Sequence, residues 1–144
     1  MSILSSVLRK RVLTTHKITS KEYFKEVGVI SMGNNFKAQF LGLEIPQLQN
    51  SELAIWKLEK NSLDNPILEE LGDKAEISIS QFHAFLAANR ESSEWFISYL
   101  KGKNGKLWAV SAYWNTDFGG WGVDAYSVSS PVGWGAGLQV VSQV

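Results

Sequence analysis

The stretch that most restricts this chain is "EWFISYLKGKNGKLWAVSAYWNTDFGGWGVDAYSV", residues 94–128. Two aromatic-rich apolar runs flank Asn104-Gly105, a dipeptide that readily takes the left-handed backbone of a two-residue hairpin turn. With that turn Lys103 faces Lys106, and the register runs Leu100–Ala109, Tyr99–Val110, Ile97–Ala112 and Trp95–Trp114. A four-residue loop over Thr116–Gly119 then sets Asn115 against Gly120 and Trp114 against Trp121, followed by Ala112–Val123 and Val110–Ala125. Facing residues share a side of an antiparallel pair. One face should therefore carry Trp95, Trp114 and Trp121 in a row, with Ile97, Ala112 and Val123 beneath. The other holds Ser98, Ser111, Tyr113, Asp124 and Tyr126, a more polar set.

These alternations predict that the tryptophans are mainly core. Leu138, Val140 and Val144 supply a fourth strand after the turn Pro131–Gly137. Trp134 lies inside that glycine-rich turn, "PVGWGAG", outside the ladder, and is the ring expected to be most exposed. The motif "GWGAG" is no phosphate loop, because a strand rather than a helix follows it.

Upstream, the pattern is helical in places. Asn65 and Pro66 signal a helix start, with Glu69 and Glu70 in the early turns and Gly72 as the stop. Ser80 is the expected cap of "QFHAFLAANR", the best helical stripe in the chain and the natural cover for the tryptophan side. The segment around Gly33-Asn34-Asn35 fits either a hairpin or a helix over residues 34–42 ended by Gly42.

Charge is uneven. Residues 1–26 hold Arg9, Lys10, Arg11, Lys17, Lys21 and Lys25 against Glu22 and Glu26, while the whole chain has 14 basic and 14 acidic residues. The spacing of Ile3, Leu4, Val7, Leu8 and Val12 suits an amphipathic helix in this basic arm. Such an arm can touch a membrane surface or an acidic partner. The order of apolar and basic residues is the reverse of a secretory signal, so a cytoplasmic setting is expected.

No cysteine and only two histidines, His16 and His83, remove thiol chemistry, disulfides and histidine-rich metal sites. No metal or cofactor is expected. The neutral balance and the placement of Lys101, Lys103 and Lys106 at a hairpin tip argue against a nucleic-acid groove. His83 reads as an exposed or partly satisfied helix residue. Asp117 reads as a turn residue bonding its own backbone.

Three stretches, "VGVISMGNNFKAQFLG", "NSLDNPILEELGDKAEISISQF" and residues 95–142, resemble a group of small uncharacterised bacterial proteins. The resemblance implies a bacterial intracellular origin and one shared architecture, and it carries over no site residue.

The expected fold is α+β: residues 1–26 as a basic arm and residues 27–144 as one domain. Its C-terminal antiparallel meander of about four strands, in a variant strongly bent and SH3-like, is covered by a helix. The expected function is a small non-enzymatic binding or protein-interaction module. The alternative is a sugar-binding protein or hydrolase using the sheet face of Tyr113, Asp124 and Tyr126, or the Trp134 loop.

Overall fold

In the computed structural model, residues 2–12, 18–19, 24–46, 48, 51–129 and 132–144 are described. In chain order the elements are β1 (Leu4–Val12), β2 (Ile18–Thr19), β3 (Val29–Met32), α1 (Asn34–Phe40), β4 (Glu44–Ile45) and β5 (Ser51–Leu58). There follow α2 (Asp64–Leu71), a 3-10 turn at Gly72–Lys74, α3 (Ile79–Ala88), β6 (Trp95–Lys101), β7 (Leu107–Asn115), β8 (Gly120–Ser127) and β9 (Gln139–Gln143). Residues 24–26 form a helical turn. The fold is α+β, built on a mixed, open seven-stranded sheet of order β1-β5-β9-β6-β7-β8-β3. β9 and β6 are parallel, as are β3 and β8. β2 and β4 pair separately.

Two apolar layers cover the sheet. On one face Phe36 and Phe40 of α1 join Phe82, Phe85 and Leu86 of α3 over Leu53, Phe96, Val110, Ala112, Trp121, Val123 and Val141. On the other, Ile67 and Leu71 of α2 pack with Leu58, Ile97, Tyr99, Ala109, Trp134 and Val140. Trp121 is wholly buried, and its indole N–H donates to the Leu86 carbonyl at 3.1 Å, which ties α3 to the sheet.

The β7–β8 register is the one expected: Asn115–Gly120, Trp114–Trp121, Ala112–Val123 and Val110–Ala125 all pair. The β6–β7 register differs by one residue. Trp95 pairs with Tyr113, Phe96 with Ala112, Ile97 with Ser111 and Tyr99 with Ala109. The cause is the turn. Gly102 N–H donates to Lys106 O, and Gly105 sits at φ +76°, so three residues lie between the closing pair instead of two. A left-handed glycine closing a three-residue loop is a common hairpin solution. Asn104 Oδ1 fixes it by accepting from Lys106 N–H and the Trp108 indole. A one-residue slip turns every side chain of the strand over. The row on the α3 side is therefore Phe96, Trp121 and Trp114, and Trp95 lies on the opposite face.

Other expectations shift as well. The fourth strand exists as β9, but it inserts between β5 and β6 instead of continuing the meander. The expected amphipathic helix at the start of the chain is the edge strand β1, paired along β5 with a bulge between Ser6 and Leu8. Its apolar residues divide between faces: Ile3 and Leu4 are buried, Val7 and Leu8 exposed. Residues 34–40 are helical, with the rings of Phe36 and Phe40, one turn apart, 5.2 Å from each other and tilted by 30°.

The N-cap of α3 is Ser78, not Ser80. Ser78 Oγ accepts from Gln81 N–H and the Gln81 side chain accepts from Ser78 N–H, a reciprocal capping box. Ser80 turns inward and donates to the Pro46 carbonyl. α2 starts at Asp64 without a side-chain cap, one residue before the expected Asn65 cap, and ends at Gly72 as expected. His83 is buried against Phe24, not exposed.

Candidate functional site

Strand alternation places Ser111 and Tyr113 of β7 on the same face as Gly122, Asp124 and Tyr126 of β8. Ser31 of β3 pairs with Gly122 and extends that face to the sheet edge, and Trp95 of β6 closes it on the other side. With Met32, Gly33 and Val123 these residues line a concavity of about 250 Å³. Three expected site residues, Tyr113, Asp124 and Tyr126, thus lie together. The fourth, Trp134, touches the edge of the group: its ring meets Tyr126 at 5.5 Å and 80°.

The centre is a three-residue layer across three strands. Tyr113 lies over Gly122 so closely that a Cβ there would stand 2.7 Å from Tyr113 Cε1. Trp95 stacks on Tyr113 at 4.2 Å with only 12° between the planes. Tyr113 is thus flanked by Gly122 and Trp95. Trp95 itself is 52% exposed.

On the far side of Trp95 a slot of about 440 Å³ opens, lined by Ser93, Glu94 and the turn Trp134–Leu138. On the other side of Tyr113 a third depression runs between Ile30, Asn115 and Phe118. Ile30 and Phe118 are exposed, Phe118 at 79%. An aromatic and aliphatic strip therefore crosses β6, β7, β8 and β3.

Asp124 is the charged group of the central concavity. Its Oδ1 accepts from Ala125 N–H at 2.8 Å, and the carboxylate lies against Gly33, the residue before α1. Oδ2 accepts no hydrogen bond among the described residues, and the hydroxyls of Ser31, Ser111, Tyr113 and Tyr126 have no bond there either. These groups form a convergent set of acceptors and rotatable donors. Among the described residues Asp124 is the one carboxylate lining this concavity, whereas glycoside hydrolysis commonly uses two.

Trp134 is a strut, contrary to the exposure expected of it. It is 9% exposed. Its backbone exchanges two hydrogen bonds with Ser62, and its indole donates to buried Asp64 Oδ1 at 2.7 Å. Tyr99 OH donates to the same oxygen at 2.8 Å. Burial, then the charge of Asp64 and that hydrogen bond, push the Tyr99 phenol well above its ordinary range.

Trp95 is the residue that sequence reasoning missed as a surface ring. The signal lay in "KGKNGK", where a three-residue loop was as compatible with the glycine as a two-residue one. Gly33 was read only as a turn residue, although its lack of a side chain makes room for Asp124. The expected turn role of Asp117 falls to Asn115, whose Oδ1 accepts from Asp117 and Phe118 N–H.

Among the described residues no group of three or more His, Cys, Asp or Glu side chains could hold a metal ion, and no helix is long and apolar enough to cross a membrane. No protein-family profile, curated protein or solved structure matches the chain.

Proposed function

We propose that this protein is a non-enzymatic protein-interaction module and that it recognises its partner through the strip of Trp95, Tyr113, Ile30 and Phe118. The supporting observation is Trp95. A tryptophan stacked on one side and half open on the other contributes little to the interior, yet it is held against Tyr113 at the start of β6, on the end of the sheet face that α2 leaves open. Rigid, partly exposed aromatics of this kind are preferred anchors of protein interfaces. Ile30 and Phe118 extend the apolar area beyond what an isolated exposed side chain needs explaining.

A second reading is favoured by one observation, the unbonded hydroxyls around Asp124. A sugar ring could stack on an indole while its hydroxyls meet Tyr113, Asp124 and Tyr126.

The test is affinity capture with the intact protein, compared with Trp95→Ala and Phe118→Ser. A stoichiometric protein partner should be recovered by the parent and lost by both variants, each still melting in one cooperative transition. Equal recovery by all three overturns the strip as the interaction surface.

A further inference from the structure

We infer that the occupant of the strip is an arginine- or lysine-bearing segment of a partner protein, held by Asp124, Glu94 and the free face of Trp95. The inference rests on the strip being the interaction surface. The three depressions that meet at Trp95 and Tyr113 contain two charged residues, Asp124 and Glu94, both acidic. No Lys, Arg or His lines any of them among the described residues. The lysines of the β6–β7 hairpin stand at its far end: Lys101 pairs with Glu76 at 3.8 Å, and Lys103 donates to the Leu41 carbonyl. Neither acidic side chain of the strip makes an ion pair among the described residues.

The geometry suits a cation in particular. Asp124 is held in place at Oδ1 by Ala125 N–H and by contact with Gly33, and leaves Oδ2 as an acceptor. The indole face is the strongest cation–π partner among the aromatic side chains. A guanidinium both stacks on a ring and donates in its plane to a carboxylate; the free face of Trp95 opens onto the slot that Glu94 also lines, and Asp124 stands in the central concavity across Tyr113, so two basic side chains of one segment match the two acids. A neutral sugar could stack equally well but would leave both carboxylates uncompensated, and an anionic ligand would be repelled. Depressions extend to both sides of the central one, from Phe118 to the Trp134–Leu138 turn, so a chain segment fits the strip better than an isolated amine does.

The experiment titrates the full chain with equal-length peptides rich in arginine, in glutamate or in serine, and with a neutral oligosaccharide, following the Trp95 indole N–H resonance and, so that Trp95→Ala is read as well, the backbone amides of Tyr113 and Asp124. The arginine peptide should shift that resonance at millimolar concentration and lose affinity as salt rises. Asp124→Asn should weaken it about tenfold, and Trp95→Ala by a similar factor. Asp124→Asn preserves the shape against Gly33, and Trp95 is half exposed, so both variants remain folded. Absence of a shift with the arginine peptide overturns the inference. So does tighter binding of the glutamate peptide, the serine peptide or the oligosaccharide at Trp95, which would leave the strip a binding surface with a different occupant. Arginine-peptide binding unchanged in Trp95→Ala would instead move the site elsewhere and remove the strip as the surface.

Discussion

Asp124 occupies the space in which a side chain at position 33 would stand: a Cβ on Gly33 would come within 1.9 Å of Asp124 Oδ1 and 2.1 Å of its carboxyl carbon. Gly33 has φ −71°, an ordinary value for any residue, so a side chain there would meet the movable carboxylate of Asp124 and no backbone strain. Gly33→Ala should displace the carboxylate and cost about 1–3 kcal/mol, the usual penalty for overpacking. Removing the obstacle in Gly33→Ala/Asp124→Ala should restore part of that loss. Thermal melts of the single and double variants measure the coupling. Strict additivity would mean that the two residues do not compete for one volume.

The two faces of the sheet should separate two tryptophans that look alike in the sequence. Trp121→Ala should cost about 3–5 kcal/mol, because the ring is wholly buried and its indole tie to the Leu86 carbonyl is lost. Trp95→Ala should cost about 1 kcal/mol, the scale of one aromatic stack. Urea unfolding of both variants gives the comparison. Equal losses would place Trp95 in the interior.

Asp64 holds two partners through one oxygen, so its substitutions should rank by acceptor capacity. Asp64→Ala leaves the Tyr99 hydroxyl and the Trp134 indole buried without an acceptor and should cost about 3 kcal/mol. Asp64→Asn retains an acceptor and should cost less. Near-ultraviolet circular dichroism of Trp134 should change in the first and change less in the second. A Tyr99 phenol held above its ordinary range also contributes stability that is complete below about pH 10. That contribution should fade as alkali ionises the unfolded chain's tyrosine, and Tyr99→Phe should flatten this part of the profile.

The start of β1 is tied to α2 by Glu70, which accepts from Ser2 Oγ, Ile3 N–H and Leu4 N–H. Burial opposes its ionisation, but these three hydrogen bonds outweigh it and hold the carboxyl below the usual range. A lowered folded-state value gives stability that is present above the ordinary glutamate range and lost as pH falls through the lowered one. Acidification should therefore release the Ile3 and Leu4 amides before the sheet melts, and Glu70→Gln should do so at neutral pH. Amide exchange at those two positions reads the effect.

Much of the architecture was legible where one chemical signal had one outcome. The Thr116–Gly119 loop and the polar/apolar alternation of β7 and β8 left a single register, and it formed. β6 offered no such check. Its residues Phe96 to Leu100 are buried on both faces, so "FISYL" reads the same in either register, and the turn alone decided it. That single residue concealed Trp95 as a surface ring. Trp134 was misjudged for a different reason: its anchor, Asp64, lies seventy positions away in sequence, and nothing local announces the bond. The basic first segment followed helical spacing but found an open strand edge at β5, and long-range pairing overrode the local pattern.

β9 is the seam between two half-sheets, β1-β5 on one side and β6-β7-β8-β3 on the other. A nascent chain that stops before Gln139 possesses both halves but no strand to lace them, so the meander can assemble early while the first strands wait for the last to emerge. Truncation after Leu138 should leave unprotected those amides of β5 that face β9, even though every residue of that strand is still present and its β1 edge stays paired. An added peptide matching residues 139–143 should restore their protection.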